Sequence, residues 1–266
     1  MCRAYGVSRS GYYRWRKRRP SQRAREDHYW LALIKRAHRE GRGAYGSPRV
    51  FRCLRRDGHV IGLRRIERLM RENRIRGCSA DVHPRTGGHT LFYGRIDNRI
   101  HRQKVTAPNQ VWVGDITYLK INGHWRYLAV VMDRYTRRIL GWAYGAQRTS
   151  ALTRRALSKA LRARPEHAGT IFHSDRGSEY LSQGYRTALK RAGLIQSVNR
   201  KRRMDDNAHM ESWNHTLKAE LVHRQAFRTD SRLRHAVTDF IHFYNRTRMH
   251  SSLGYRSPMA FEAACA

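Results

Sequence analysis

Three acids in this chain stand where carboxylates could gather metal. Asp115 lies inside the apolar run VWVGDITYL, Asp175 follows the short apolar run IFHS, and Glu211 sits in DNAHMESWNHTLK, a stretch of helical character. Asp115 has apolar neighbours, Gly114 and Ile116, so a charge there is costly unless it faces a cleft or a cation. Asp175 is followed by Arg176-Gly177, a turn that leaves its carboxylate available. Hard divalent cations take carboxylate oxygens, and two such ions about 4 Å apart stabilise both the attacking and the leaving oxygen at a phosphodiester. The spacing is a weak filter by itself. Asp133, Glu179, Asp205, Asp206 and Glu220 are competing acids close by in sequence.

The elements that would position these acids are read from periodicity. From Asn109 onward, VWVGDITYLKI, WRYLAVVMD and RRILGWAYG read as strands, the first two joined by the hairpin turn Asn122-Gly123. Residues 150–163 carry Leu152, Ala156, Leu157, Ala160 and Leu161 at helical spacing and stop before Pro165. IFHS is a fourth strand, 180–192 a helix and LIQSV a fifth strand. Helices follow over 207–221 and 233–245. Three strands, helix, strand, helix, strand and helices describe an α/β mixed sheet flanked by helices, the arrangement of an RNase H-like fold.

The first part of the chain reads differently. Tyr29, Leu31, Leu33, Ile34 and Ala37 give one helix an apolar face. Ser47 is expected as an N-cap with Pro48 in the first helical position, and this helix ends near Asp57-Gly58. A second helix from Gly62 presents Ile66, Leu69, Met70 and Ile75 on one side, and Arg64, Arg65, Arg68 and Arg71 on the other. Such a basic hairpin resembles a helix-turn-helix. At the start of the chain, Tyr12, Tyr13 and Trp15 lie among cations from Arg14 to Arg19, as packing or stacking groups beside phosphate contacts. The expected division is 1–76 as the basic helical region, 77–108 as a linker rich in Gly and Pro, and 109–266 as the catalytic core with its C-terminal helices.

Composition narrows the class. The 266 residues hold 55 Lys and Arg against 20 Asp and Glu, a formal net charge of +35, and the pI is about 11.4. A chain this basic repels itself unless a polyanion neutralises it, so nucleic acid is the expected partner; a ribosomal protein is the bland alternative. Hydrophobic residues make up 40%, with six Trp and 14 Tyr, enough to bury a core. Cys2, Cys53, Cys78 and Cys265 form no CxxC pair, which fits a reducing compartment and speaks against structural zinc. No run of roughly 18 apolar residues and no signal-peptide core is present, so the expectation is a cytoplasmic protein with no membrane partner.

Ordered sequence words then carry a resemblance. MCRAYGVSRSGYYRW, AYGSPRV, RRIERLM, PNQVWVGDITYL, YLAVVMDRYTRRILGW, HSDRGSEY, DNAHMESWNHTLK and YNRTRMHSSLGYRSPMAF span nearly the whole chain. Together they resemble the bacterial insertion-sequence transposases of the DDE type, in particular the family numbered three. The resemblance implies an integrase-like catalytic core, with Asp115, Asp175 and Glu211 as catalytic and metal-binding triad. It implies Mg²⁺ as cofactor, Mn²⁺ as its substitute, and two ions in the site. It implies cleavage of DNA strands followed by attack of a 3′-hydroxyl on target DNA, performed by a homo-oligomer on element ends and target. Lys218, two helical turns past Glu211, is implied as a phosphate contact. Arg200, Lys201, Arg202 and Arg203, with Arg64, Arg65 and Arg68, are the further DNA-binding candidates. The chain matches a downstream reading-frame product, so fusion to or association with an upstream-frame protein is expected. Two departures stand out: Glu179 where the family commonly has Gln, and Arg202-Arg203-Met204-Asp205 where it has a small glycine-containing loop. A plain nuclease of the same fold, or a DNA-binding protein without activity, are the other readings that the residues allow.

Overall fold

The computed structural model of the protein describes residues 2, 4–17, 21–78, 96–200 and 205–265, with only the backbone of Asp205. The chain divides into two compact units, Met1–Cys78 and Ser79–Ala266.

The first unit is helical: α1 (Arg9–Arg16), α2 (Gln22–Glu40), α3 (Ser47–Arg56) and α4 (Leu63–Glu72). Its core follows helical spacing on three of them. Ile34 and Ala37 of α2, Val50, Cys53 and Leu54 of α3, and Ile66, Leu69 and Met70 of α4 are all buried. Tyr29, expected on the apolar face, is 53% exposed; its neighbour Trp30 packs instead, edge-on to His59. Trp30, Ile34 and Ala37 keep the four-then-three spacing that Tyr29 breaks. The cap of α3 is Gly46, with Ser47 the first helical residue, a one-residue displacement of the kind common at helix starts. No residue of α1 is buried.

Polar contacts join α4 to α2. The Arg65 Nε lies 2.7 Å from Asp27 Oδ1 and the Arg68 Nη2 2.7 Å from Asp27 Oδ2. Arg65 also meets Glu26 and Arg68 meets Glu72. The hydrogen bond from Arg68 is the largest influence on Asp27 and holds its carboxyl below the ordinary value, against a smaller opposing effect of burial.

The second unit is a five-stranded sheet in the order β3-β2-β1-β4-β5. The strands are β1 (Val111–Ile121), β2 (His124–Asp133), β3 (Ile139–Gly145), β4 (Ile171–Ser174) and β5 (Ile195–Val198). β1, β2 and β3 pair antiparallel, the β1–β2 turn using Asn122 and Gly123 at φ 46° and 80°. β4 joins β1 and β5 joins β4 in parallel. Helix α5 (Ser150–Ala163) connects β3 to β4, and α6 (Ser178–Leu181) and α7 (Gln183–Arg191) connect β4 to β5. After β5 come α8 (Ala208–Glu220), α9 (Asp230–Arg246) and α10 (Pro258–Ala263). The helix expected over 180–192 is therefore split and starts earlier. Ser182 is extended, with ψ 145°, and its hydroxyl caps Tyr185 N; a serine that can cap competes with continuing the helix.

The sheet has a core on each face. Val111, Val113, Leu119 and Ile121 alternate toward α8 and α9, while Trp112 packs with Phe172 and α5 on the opposite face. Gly114 is required by this packing: a Cβ there would stand 2.5 Å from the Phe172 ring. Residues 96–100, inside the expected linker, pack against β5. Asp97 O accepts from Val198 N, Arg99 N donates to Ser197 Oγ, and Ile100 is buried.

The first unit yields a prediction. Asp27→Ala should destabilise it by about 1 to 2 kcal/mol, because one half-buried carboxylate serves two guanidinium groups. Loss of amide-exchange protection in α4, larger at low salt than at high salt, is the expected signal; unchanged protection would mean that the apolar core alone sets the helix.

Candidate active site

The parallel ladder between β1 and β4 runs Val111↔Ile171, Trp112↔Phe172, Val113↔His173 and Gly114↔Ser174, and stops there. Asp115 is the next residue of β1, and Asp175 is the first residue after β4. Neighbouring strands lie about 4.8 Å apart, so this register alone sets the two aspartates side by side. The backbone leaves the ladder after Ser174, whose carbonyl accepts from Asn199 N. Asp175 Oδ1 accepts from Gly177 N at 3.0 Å, closing a turn into α6. Asp115 is 8% exposed, its Oδ1 accepting from Ile116 N and its Oδ2 from Asn214 Nδ2 at 2.7 Å.

Helix α8 lies along β1 through a polar stripe. Asn207 Nδ2 donates to Gly114 O at 3.1 Å, Asn214 donates to Asp115, and Lys218 Nζ stands 4.6 Å from the centre of the Tyr118 ring. Glu211 is four residues past Asn207 and three before Asn214, so helical geometry puts it on the same stripe. The adjoining side of the helix, Met210, Trp213 and Leu217, is buried in the core. The far end is locked by a buried ion pair, Glu220 Oε1 to Arg248 Nη2 at 2.7 Å. Asn207 precedes the helix but makes no side-chain cap there, its amide being directed to the strand instead.

Four of the five competing acids are occupied elsewhere; the side chain of Asp205 lies outside the described residues. Asp133 accepts from the backbone N–H groups of Asn109, Tyr135 and Thr136. Glu179 pairs with Arg148 at 2.7 Å, and Glu220 with Arg248. For Asp206, burial pushes the carboxyl up, but hydrogen bonds from the Arg200 side chain and backbone outweigh it and hold the group at about 2. Among the described residues, no three His, Cys, Asp or Glu side chains stand together closely enough to hold one metal ion. The structure brings Asp115 and Asp175 to neighbouring strand positions, with Glu211 on the helix beside them, and does not close the three into a cage.

Other observations fit a hydrated cation beside the aspartates. The Oδ1 atoms of Asn207 and Asn214 are buried and have no hydrogen-bond partner among the described residues, which is costly unless something polar approaches. A Cβ on Gly177 would come within 2.9 Å of both Asp175 Oδ1 and Glu179 Oε2, so a side chain there would fill the space beside the acids. Tyr180, fully buried, has its phenol held well above the ordinary value, by burial first, then by the neighbouring phenol of Tyr185 and the acids Asp115, Asp175 and Glu179.

A histidine escaped the sequence reading. His173 is fully buried on β4, with Nδ1 2.9 Å from Ser197 Oγ and Nε2 2.8 Å from Asn199 Oδ1. Since Ser197 Oγ also accepts from Arg99 N, a consistent network has Nε2–H donating to Asn199 and Ser197 donating to Nδ1. Burial pushes the imidazole down to about 4, against the raising influence of Asn199 and Asp206. This neutral ring ties β4, two residues before Asp175, to the segment leading into α8. Asn207 and Asn214 were also missed, although their spacing around Glu211 was a usable signal.

The DNA-binding candidates divide into groups. Arg64 is exposed at the start of α4, whereas Arg65 and Arg68 are paired with acids as described above. Arg200 pairs with Asp206 at 2.8 Å. Lys201, Arg202 and Arg203 lie outside the described residues.

Comparison with known proteins agrees with this architecture. Integrase core domain families match residues 105–204 and 192–258, and an HTH-like domain family matches 24–79. The chain is 40% identical over 264 residues to the insertion element IS600 uncharacterized 31 kDa protein of Shigella sonnei, covering 98% of this chain and 97% of that one. It is 34% identical over 269 residues to the transposase InsF for insertion sequence IS3A of Escherichia coli, covering 98% and 92%. The chain belongs to the IS3-family transposases. It is a DDE transposase of the integrase type, and its fold is also found in a simian T-cell lymphotropic virus intasome, at TM-score 0.50 and 18% identity over 66% of this chain and 60% of that one.

The histidines give this transposase a pH signature. A folded-state value below the unfolded one means that the unfolded chain binds more protons between the two, so stability is full above about 6.5 and falls as pH drops toward about 4. For His173 this amounts to roughly 3 kcal/mol. His209, pushed to about 3 by burial and then by Arg137 and Arg134, extends the same window. Urea unfolding at stepped pH should show the decline, and His173→Gln should flatten part of it. Equal slopes in both proteins would remove His173 as a cause.

Proposed function

We propose that this transposase cuts DNA at the ends of a bacterial insertion sequence and joins the freed 3′-hydroxyl to target DNA, with Asp115, Asp175 and Glu211 as its metal-holding carboxylates. The observation that carries the reading is the β1–β4 register, which makes Asp115 and Asp175 neighbours at the point where the ladder ends. The α8 stripe supports Glu211 as the third member, brought to the pair by movement of its side chain.

The donor set suits Mg²⁺, with Mn²⁺ as substitute: carboxylate oxygens, with two orphaned amide oxygens near Asp115. Two such ions, when bound, activate the attacking oxygen and neutralise charge on the leaving one. The protein's own groups do the positioning. Asn214 fixes the Asp115 carboxylate, and the Asp175 turn holds its own. Arg148 offsets the charge of Glu179, the residue that departs from the family's Gln. Carboxylates alone repel a phosphodiester, so Lys218 and the cations Lys201, Arg202 and Arg203 offset that repulsion and set the path of the strand, while Arg200 is held by Asp206. Arg64 and neighbouring cations of the helix-turn-helix-like unit supply further DNA contacts. A homo-oligomer on the element ends, joined or fused to an upstream-frame protein, is the working assembly in the cytoplasm near the nucleoid. Among the described residues no helix is long and apolar enough to cross a membrane.

Labelled element ends incubated with target DNA and Mg²⁺ test the reading. Joined product supports a transposase; cut product alone makes it a nuclease, and a gel shift without either makes it a binder. Asp115→Asn, Asp175→Asn and Glu211→Gln should each lower joining by more than about a hundredfold, weaken Mg²⁺ binding by calorimetry and leave DNA affinity nearly unchanged. Full joining by any one variant would remove that residue from the site. Lys218→Ala should lower joining more than affinity, since one phosphate contact among many is lost while the reacting strand is misplaced; equal, small losses would return Lys218 to the solvated surface.

A further inference from the structure

Among the described residues of the second unit, the exposed large apolar side chains are Tyr118, Trp125 and Ile195. Two of them form a pair. Tyr118, 49% exposed, and Trp125, 48% exposed, meet edge to face with ring centres 5.3 Å apart and planes at 89°. The β1–β2 register explains this: Tyr118 pairs with Tyr127 and Lys120 with Trp125, so Tyr118 and Trp125 are diagonal neighbours on one face of the hairpin. Each ring carries an ammonium. Lys218 Nζ is 4.6 Å from the Tyr118 ring centre and Lys120 Nζ 5.6 Å from that of Trp125.

Two rings held half-open to water are an unusual use of aromatic surface in a unit whose other large aromatics are mostly packed away. Burial against another protein is disfavoured here, because lysine is depleted from interface centres and its ammonium is costly to desolvate. A nucleobase meets both demands: it stacks on a ring while its flanking phosphates neutralise the lysines. The location fits the same ligand. Tyr118 follows Asp115 by three residues on β1, about 10 Å along a strand; the two side chains leave opposite faces, but α8 reaches both, Asn214 bonding Asp115 and Lys218 standing over the Tyr118 ring. Bases in an intact duplex are stacked on one another, so the platform selects a base that has left the stack.

We propose that Tyr118 and Trp125, with Lys120 and Lys218, form a stacking site for an unpaired nucleobase of the DNA strand whose end lies at the three acids. The identity of that strand rests on the strand-transfer reading above; the preference for unpaired bases does not. The site would hold a frayed or single-stranded end open beside the carboxylates and keep it from re-pairing.

The test is equilibrium binding by fluorescence anisotropy, with the full chain and without divalent metal. The probes are a short oligothymidylate, a blunt duplex, and the same duplex with a single-stranded 3′ overhang. Trp125→Ala and Tyr118→Ala should each weaken binding to oligothymidylate and to the overhang by about tenfold or more, within the range known for base–aromatic stacking. Blunt-duplex affinity should stay within about twofold. Trp125→Phe and Tyr118→Phe keep a stacking face and should restore most of the loss. Equal losses on all three probes, or none on any, would overturn the proposal. So would sedimentation without DNA in which the wild type self-associates and Trp125→Ala does not, since the rings would then face a second copy. Joining assays on element ends run separately: if joining is absent but the single-strand contrast holds, the strand-transfer reading fails and the stacking site stands.

Discussion

The parallel pairing of β1 with β4 is the constraint on which the rest of the second unit depends. It is short, from Val111↔Ile171 to Gly114↔Ser174, and its end defines the place where two aspartates become neighbours. A slip by one residue would send Asp115 to the α5 side of the sheet and Trp112 to the α8 side, because side chains alternate with a period of two. Apolar burial therefore sets the register: Trp112 and Phe172 lock one face, Val111 and Val113 the other. Gly114 belongs to the same lock, since the Phe172 ring occupies the space where its side chain would be. The placement of the two aspartates is in this sense a by-product of how the core packs.

The helix α8 acts as a second ruler against the same strand. Its apolar side is buried with α9, its polar side meets β1 at Gly114 and Asp115, and its last turn is held by the Glu220–Arg248 pair. An ion pair this deeply buried is weak support for stability, since desolvation offsets its attraction, but it orients well. His173 supplies a comparable link on the other side of the site. It is neutral, doubly hydrogen-bonded and placed between β4 and β5. Both devices tie one element to another: Glu220 of α8 to Arg248 after α9, and His173 of β4 to Ser197 of β5 and to Asn199 just after it.

The charge of +35 does not translate into 35 phosphate contacts. In the first unit Arg65 and Arg68 are spent on Asp27, Glu26 and Glu72, and in the second Arg200 holds Asp206. Few acids are available in this chain, and many of those described here anchor arginines across elements. The excess cations outside such pairs carry the attraction for DNA, which is long-ranged and screened by salt.

Much was legible in the sequence alone. Alternation over VWVGDITYLKI, the Asn122-Gly123 turn and the helical spacing of Leu152, Ala156 and Ala160 determined elements that the fold contains, because those patterns are local consequences of burying one face. The words around Asp115, Asp175 and Glu211 determined the family. Several matters were left to tertiary structure. Asp133, Asp206 and Glu220 looked as plausible as the chosen acids until their partners appeared, and those partners, Asn109, Arg200 and Arg248 among them, come from other elements or turns. Tyr29 and Trp30 could not be ranked until α3 and α4 were packed beside them. Helix 180–192 broke because Ser182 found a cap, a choice between two local hydrogen-bonding states that neighbouring β4 and β5 decide. Sequence determined which residues could pair, bury or carry charge; only the folded chain decided which partner each one met, because burial and hydrogen bonding depend on contacts between residues far apart in sequence.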